Sequence, residues 1–160
     1  MKILALACLT LACATTAGAQ PAPPARKAPP PKGCVARGTP ILEVDRKADK
    51  GAKLATSSFK IFESGAWTYE SVDAEGKAGE PRRGCFAGDD LVKVKEDVKA
   101  PWKVTTAKFH CMAYSASFVE YLVNGKLVYT ARVCSGQTLD DASTKALEDL
   151  DARAKAASGA

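Results

Sequence analysis

Alternating apolar and polar positions predict three strands in the first half of the chain. The segment Pro40–Asp45 (PILEVD) is aliphatic and β-branched, so it predicts a strand, and the polar stretch Arg46–Lys53 predicts the loop that follows. Two further strands are predicted at Ser57–Glu63 and Ala66–Val72, with Ser64-Gly65 between them. A two-residue connection of this kind is typical of a β-hairpin.

The third strand carries two aromatic residues on one face. Because successive side chains of a strand point to opposite faces, Trp67, Tyr69 and Ser71 share a side. We expect the two rings to face the core, and an exposed aromatic strip for binding is the alternative. The turn-rich segment Asp73–Gly84 then predicts a long loop that ends at Cys85.

A helix is predicted to begin at Gly88-Asp89-Asp90 and to end before Pro101. Its apolar residues fall at helical spacing on one stripe, namely Leu91, Val94 and Val98. Strand-like composition returns at Trp102–Thr106 and again at Phe109–Ala113.

The strongest local pattern is a hairpin followed by a helix. Asn124-Gly125 separates the apolar strands Phe118–Val123 and Lys126–Val133, and Asn-Gly supplies the positive φ angles of a type I′ turn. The last helix is predicted over Leu139–Ala156, with Thr138 and Asp141 resembling a capping box. Its apolar stripe consists of Leu139, Ala146, Leu147, Leu150 and Ala154. Together these elements predict an α+β domain, an antiparallel sheet of five to six strands with two helices.

The N-terminal region has the composition of an export signal and a spacer. Residues 1–19 join Met1-Lys2 to the apolar run Ile3–Ala14, and Ala17-Gly18-Ala19 then supplies the small residues of a cleavage site. This pattern predicts a signal peptide cleaved before Gln20 and no transmembrane segment. A lipoprotein anchored at Cys13 is the alternative. Residues 20–33 are rich in proline and hold basic but no acidic residues, so they predict an extended linker. The single domain is then predicted over residues 34–160.

Cleavage would leave four cysteines in an oxidising compartment, where disulfides are the default for a small domain. Three pairings of Cys34, Cys85, Cys111 and Cys134 are possible. We favour Cys111 with Cys134, because these two bracket the hairpin, and by elimination Cys34 with Cys85. We expect no metal site, since no C-x-x-C spacing occurs and the one histidine, His110, is adjacent to Cys111.

Charge and motif content argue against several function classes. The chain carries a formal net charge of +5, but the predicted domain 34–160 carries only +1. Basic residues are scattered among acids, so we expect no nucleic-acid partner. The carboxylate pairs Asp89-Asp90 and Asp140-Asp141 both fall at predicted helix starts, where capping explains them. No phosphate-binding loop or dinucleotide fingerprint occurs, so we expect no cofactor and no enzyme activity.

Several short motifs between Pro40 and Cys134 resemble the secreted subtilisin-inhibitor-like proteins of bacteria. They are the first strand Ile41–Val44, the glycine-proline loop Gly79-Glu80-Pro81 before Cys85, the run Cys111-Met112-Ala113-Tyr114, and the hairpin closed by Cys134. The resemblance implies a five-stranded antiparallel sheet with two helices, and a rigid loop after Cys111 that blocks serine proteases. Met112 or Ala113 would then occupy the substrate-like primary position. The chain departs from the family at Glu70, near the place of a family cysteine, and at Glu80, which replaces a histidine.

Three hypotheses about function follow from the sequence. The first is an exported, secreted or periplasmic, non-catalytic domain that binds another exported or envelope protein. The second is a serine-protease inhibitor that presents Met112, Ala113 and Tyr114. The third is a small exported enzyme with a carboxylate site. An exposed apolar patch around Trp67, Tyr69 or Tyr121 is the sign expected of the binding domain, and an exposed Met112 is the sign expected of the inhibitor.

Overall fold

A computed structural model describes residues 33–108, 112–113 and 115–159. The described residues form eight strands and two helices. In chain order these are β1 (Leu42–Ala48), β2 (Thr56–Ile61), β3 (Ala66–Val72), β4 (Arg82–Cys85), α1 (Asp89–Val98), β5 (Val104–Thr106), β6 (Ser117–Val123), β7 (Lys126–Ala131), β8 (Gln137–Leu139) and α2 (Asp141–Ser158).

Six of these strands form one antiparallel sheet in the order β4-β3-β2-β1-β6-β7, and β5 pairs with β8 in a small second sheet. The α+β prediction with five to six strands and two helices is therefore confirmed. The two predicted hairpins are confirmed as well, since β2 pairs with β3 and β6 with β7. In the second hairpin Asn124 and Gly125 have φ angles of 50° and 74°, as a type I′ turn requires.

Both helices pack on one face of the six-stranded sheet. The core joins strand residues such as Leu42, Phe59 and Ile61 to Val94 of α1 and Leu150 of α2, and Leu42, Ile61, Val94 and Leu150 are completely buried. The pattern of apolar residues predicted the faces of both helices correctly, because it places every third or fourth residue against the sheet.

The aromatic residues of β3 and β6 belong to this core. Trp67 is 9% exposed and stacks on Phe59 with a centroid distance of 5.7 Å, while Tyr121 is 2% exposed. Tyr69 is partly buried, packs against the core, and lies under the Arg82 guanidinium at 5.8 Å. The prediction that Trp67 and Tyr69 face the core is confirmed, and the exposed patch expected around Trp67, Tyr69 or Tyr121 is wrong.

Three predicted boundaries need correction. The first strand continues through Arg46 to Ala48, within the predicted loop Arg46–Lys53, because Arg46 to Ala48 pair with β6. The predicted loop Asp73–Gly84 contains β4, an edge strand that pairs with β3. The capping box of Thr138 and Asp141 is also wrong. Thr138 lies in β8, and the N-cap of α2 is Asp140, whose carboxylate accepts a hydrogen bond from the Ser143 amide at 2.9 Å.

The disulfide between Cys34 and Cys85 is confirmed, with Cα atoms 6.1 Å apart. It fastens the beginning of the described chain to the edge strand β4. Cys134 is also disulfide-bonded, and its predicted partner Cys111 lies outside the described residues. Among the residues described, no helix has the length and apolar character needed to cross a membrane.

Candidate functional site

The connection between β5 and β6 carries the most exposed large apolar side chain of the described chain. Met112 is 97% exposed, and its neighbour Ala113 is exposed as well. We call these two residues the Met112 segment. Tyr114, the third predicted binding residue, and Cys111 lie outside the described residues. Removal of such an exposed hydrophobic side chain from water by a partner lowers the free energy of the complex.

Backbone hydrogen bonds tie both ends of this connection to the rest of the fold. On the side of β5, the Ala107 amide donates to the Gly136 carbonyl at 2.8 Å. On the side of β6, the Ala116 carbonyl accepts from the Asp49 amide at 2.8 Å. The Met112 segment therefore lies between two points that the domain holds in place.

Arg132, just after β7, adds a side-chain clamp at the second of these points. Its guanidinium forms an ion pair with the Asp49 carboxylate and donates to the Ser115 carbonyl at 3.4 Å. It also stacks over the Phe118 ring at 5.1 Å from the centroid. Both partners of the ion pair are partly buried, with side-chain exposures of 30% and 28%, so the pair is screened less than a fully exposed one.

Ser115 shapes the last turn before β6. Its hydroxyl lies 3.1 Å from both the carbonyl and the hydroxyl oxygen of Ser117 and accepts from the Ser117 amide at 3.3 Å. Short side-chain bonds of this kind replace missing backbone partners in turns. Neither Ser115 nor the Arg132 clamp was predicted from the sequence. Asp49 and Arg132 are 83 residues apart, and no local pattern indicates a contact at that separation.

One member of each predicted carboxylate pair is engaged in a structural contact. Asp140 caps α2, and its two hydrogen bonds with Ser143 hold the pKa of the Asp140 carboxyl below its ordinary value. Asp90 in the first turn of α1 accepts a bond from Arg153 at 3.2 Å. Within the described ranges, no three or more histidine, cysteine or acidic side chains come together in a way that could hold a metal ion.

One carboxyl group between the helices has a perturbed pKa. Burial raises the pKa of Asp97, and the neighbouring negative charge of Asp149 raises it further, while Arg153 at 3.8 Å lowers it. A raised carboxyl pKa can indicate a catalytic acid. Here the group lies in the packed contact between α1 and α2, where burial and the neighbouring charge of Asp149 account for the raised pKa.

Comparison of the chain with protein-family models, with curated proteins and with solved structures gave no match.

Proposed function

We propose that the protein is an exported, non-catalytic domain that binds another exported or envelope protein through the Met112 segment. The observation that carries this proposal is the 97% exposure of Met112 in a connection whose two ends are fixed. A large apolar side chain in this position contributes nothing to the core, so its burial is available to a partner.

Apolar burial and preorganisation both favour binding through the Met112 segment. Burying a methionine side chain at an interface stabilises a complex by about 1.5–3 kcal/mol. Its unbranched thioether chain adapts to pockets of different shape. The fixed ends reduce the conformational entropy that the connection loses on binding, and preorganisation of this kind raises affinity without new contacts.

Three features support export. Residues 1–19 have the charge and apolar pattern of a signal peptide, and the proline-rich stretch 20–33 would hold the domain away from an export site or envelope surface. The disulfide between Cys34 and Cys85 agrees with an oxidising compartment, because such bonds are rare in a reducing cytosol.

A second, sharper candidate is a serine-protease inhibitor. The exposure of Met112 favours it, since an inhibitory residue has to reach the specificity pocket of a protease from a held loop. In this version Met112 or Ala113 occupies the primary position, with Tyr114 beside it, as the resemblance to subtilisin-inhibitor-like proteins implies. A protease with an apolar pocket would be the partner.

Capture of exported proteins, together with inhibition assays, tests both versions. The purified protein is incubated with culture supernatant and envelope extract, beside the variant Met112→Asp and the matched control Val92→Asp. Val92 is also an exposed apolar residue, at 55%, but it lies on α1. We expect one recovered protein to be lost with Met112→Asp and retained with Val92→Asp. Equal recovery by both variants would overturn the proposal.

The inhibitor version has its own readout. If it is correct, the wild-type protein inhibits subtilisin, and Met112→Lys transfers inhibition to trypsin, which accepts a basic primary residue. Loss of a captured partner without any protease inhibition would leave protein binding and reject the inhibitor.

A further inference from the structure

A row of polar side chains crosses the end of the sheet on the face that the helices cover. Leu42 and Val44 of β1 point into the core, and Arg46, two residues further, shares their face. Arg46 pairs with Ser57 of β2, which in turn pairs with Ser71 of β3. A guanidinium and two hydroxyls therefore stand side by side, one strand apart, where the apolar core ends.

These three residues line a cleft of about 510 Å³. Tyr69 and the loop after β3 complete its walls, the loop through Lys77, Ala78 and Gly79. The volume falls within the range of about 300–1,000 Å³ that is usual for small-molecule sites.

Most of the polar side chains of this cleft make no hydrogen bond within the described part of the fold. Among the described residues, the side chains of Arg46 and Lys77 form neither a hydrogen bond nor an ion pair. The hydroxyls of Ser57 and Ser71 likewise form no hydrogen bond with a described residue. The one acid of the lining, Asp73, is engaged in its own turn, where its carboxylate accepts from the amides of Glu75 at 3.1 Å and Lys77 at 2.8 Å.

A second cleft of about 310 Å³ shares Arg46, Ser57 and Ser71 with this one, and the rest of its lining lies mainly on the opposite face of the sheet. The lysines of that face are already paired. Lys60 lies 3.0 Å from Glu43, and Lys47 lies 3.5 Å from Asp45 and 2.5 Å from Glu120. The acidic partners raise the pKa of both lysines, of Lys47 mainly through Glu120 and of Lys60 mainly through Glu43. Both lysines therefore stay charged and paired.

We propose that the Arg46 cleft binds a small hydroxylated molecule that carries an oxyanion, a carboxylate or a phosphate. The guanidinium of arginine matches two oxygens of such a group through parallel hydrogen bonds. Ser57 and Ser71 donate to or accept from the same group or a neighbouring hydroxyl. Lys77 adds a second positive charge, and the Tyr69 ring forms an apolar wall for the body of the ligand.

Nuclear magnetic resonance titration tests this with three related sugars. The ¹⁵N-labelled protein, purified after export, is titrated with glucuronate, glucose 6-phosphate and uncharged glucose at about 150 mM salt, which screens non-specific attraction. We expect saturable shifts of the Arg46, Ser57 and Ser71 amides with at least one anion and not with glucose. The responding anion identifies the charged group as carboxylate or phosphate.

Two variants distinguish binding at this specific site from non-specific electrostatic attraction. Arg46→Gln is expected to weaken binding about tenfold or more, because it removes a charged hydrogen-bond donor. The matched control Arg83→Gln removes an exposed arginine from β4 and should leave affinity unchanged. If Arg46→Gln fails to unfold cooperatively, Ser57→Ala and Lys77→Gln take its place. Absence of saturable shifts with both anions, equal shifts with glucose, or equal affinity of Arg46→Gln and the wild type would overturn the proposal.

Discussion

Removal of the disulfide between Cys34 and Cys85 should destabilise the domain strongly. The bond closes a loop with a sequence separation of 51 residues. In the chain-entropy description, a loop of this length lowers the entropy of the unfolded chain enough to stabilise the fold by about 4 kcal/mol at 25 °C. That is a large part of the total stability of a small domain, which is typically about 5–15 kcal/mol.

The position of the bond adds a local effect to this global one. Cys85 ends β4, an edge strand of four residues that pairs only with β3 among the described strands. Arg82 of the same strand donates to the carbonyl of Ser158 at the end of α2. Loss of the disulfide should therefore loosen β4 and the end of α2 before the rest of the sheet.

Urea denaturation of Cys34→Ala/Cys85→Ala measures the effect. With an m-value of about 1–3 kcal/mol/M, a loss of 4 kcal/mol lowers the midpoint by about 1–4 M. Hydrogen exchange should accelerate first at the β4 amides. A loss below about 1 kcal/mol, at an unchanged m-value, would refute the entropic reasoning.

Three further predictions concern the Arg132 clamp, the cap of α2 and the core. Arg132→Ala should speed hydrogen exchange at Ser117 more than Arg37→Ala does, because it removes the ion pair and the bond to the Ser115 carbonyl; equal rates would contradict the clamp. Asp140→Ala should lower the Tm at neutral pH, and the deficit should fade on acidification. The folded pKa of Asp140 is depressed, so its stabilisation is present above the unfolded pKa and lost as pH falls through the folded pKa; a deficit independent of pH would contradict this. Leu150→Ala should cost about 2–5 kcal/mol in urea denaturation, because Leu150 is completely buried, and a cost below 1 kcal/mol would mean that α2 does not cover the core.

Local periodicity was sufficient to predict most elements. The third strand was predicted over Ala66–Val72 and is found over the same residues, because alternation, a flanking turn and aromatic content agree there. Both helices were found from their apolar stripes. The tight turn before β3 was also marked by its glycine. Gly65 has a φ of 83°, and a Cβ at this position would lie 2.5 Å from the Phe86 carbonyl oxygen.

The errors lie where tertiary pairing overrides local composition. The strand β4 (Arg82–Cys85) contains two arginines and a glycine, and it is a strand because β3 supplies its hydrogen bonds and the disulfide holds its end. In the same way, β8 is a strand because it pairs with β5. The capping residue of α2 was misplaced by two positions because Thr138 pairs with Thr105. The local propensities of these residues do not predict these long-range contacts.

The candidate site was only partly predictable. The run after Cys111 led us to expect an exposed Met112 if the protein is an inhibitor, and Met112 is exposed in the structure. The clamp of Arg132 on Asp49 and the row of Arg46, Ser57 and Ser71 depend on which strands are neighbours. Strand order cannot be deduced from periodicity, so these groups became visible only in the folded chain.

Site-specific photo-cross-linking at position 112 shows whether the Met112 segment contacts a partner. A photo-reactive amino acid is placed at position 112, or at position 92 on α1 as the control, and the producing culture is irradiated. We expect one covalent adduct with an exported or envelope protein from position 112 and none from position 92. No adduct from position 112, or the same adducts from both positions, would contradict the assignment of the Met112 segment as the binding element.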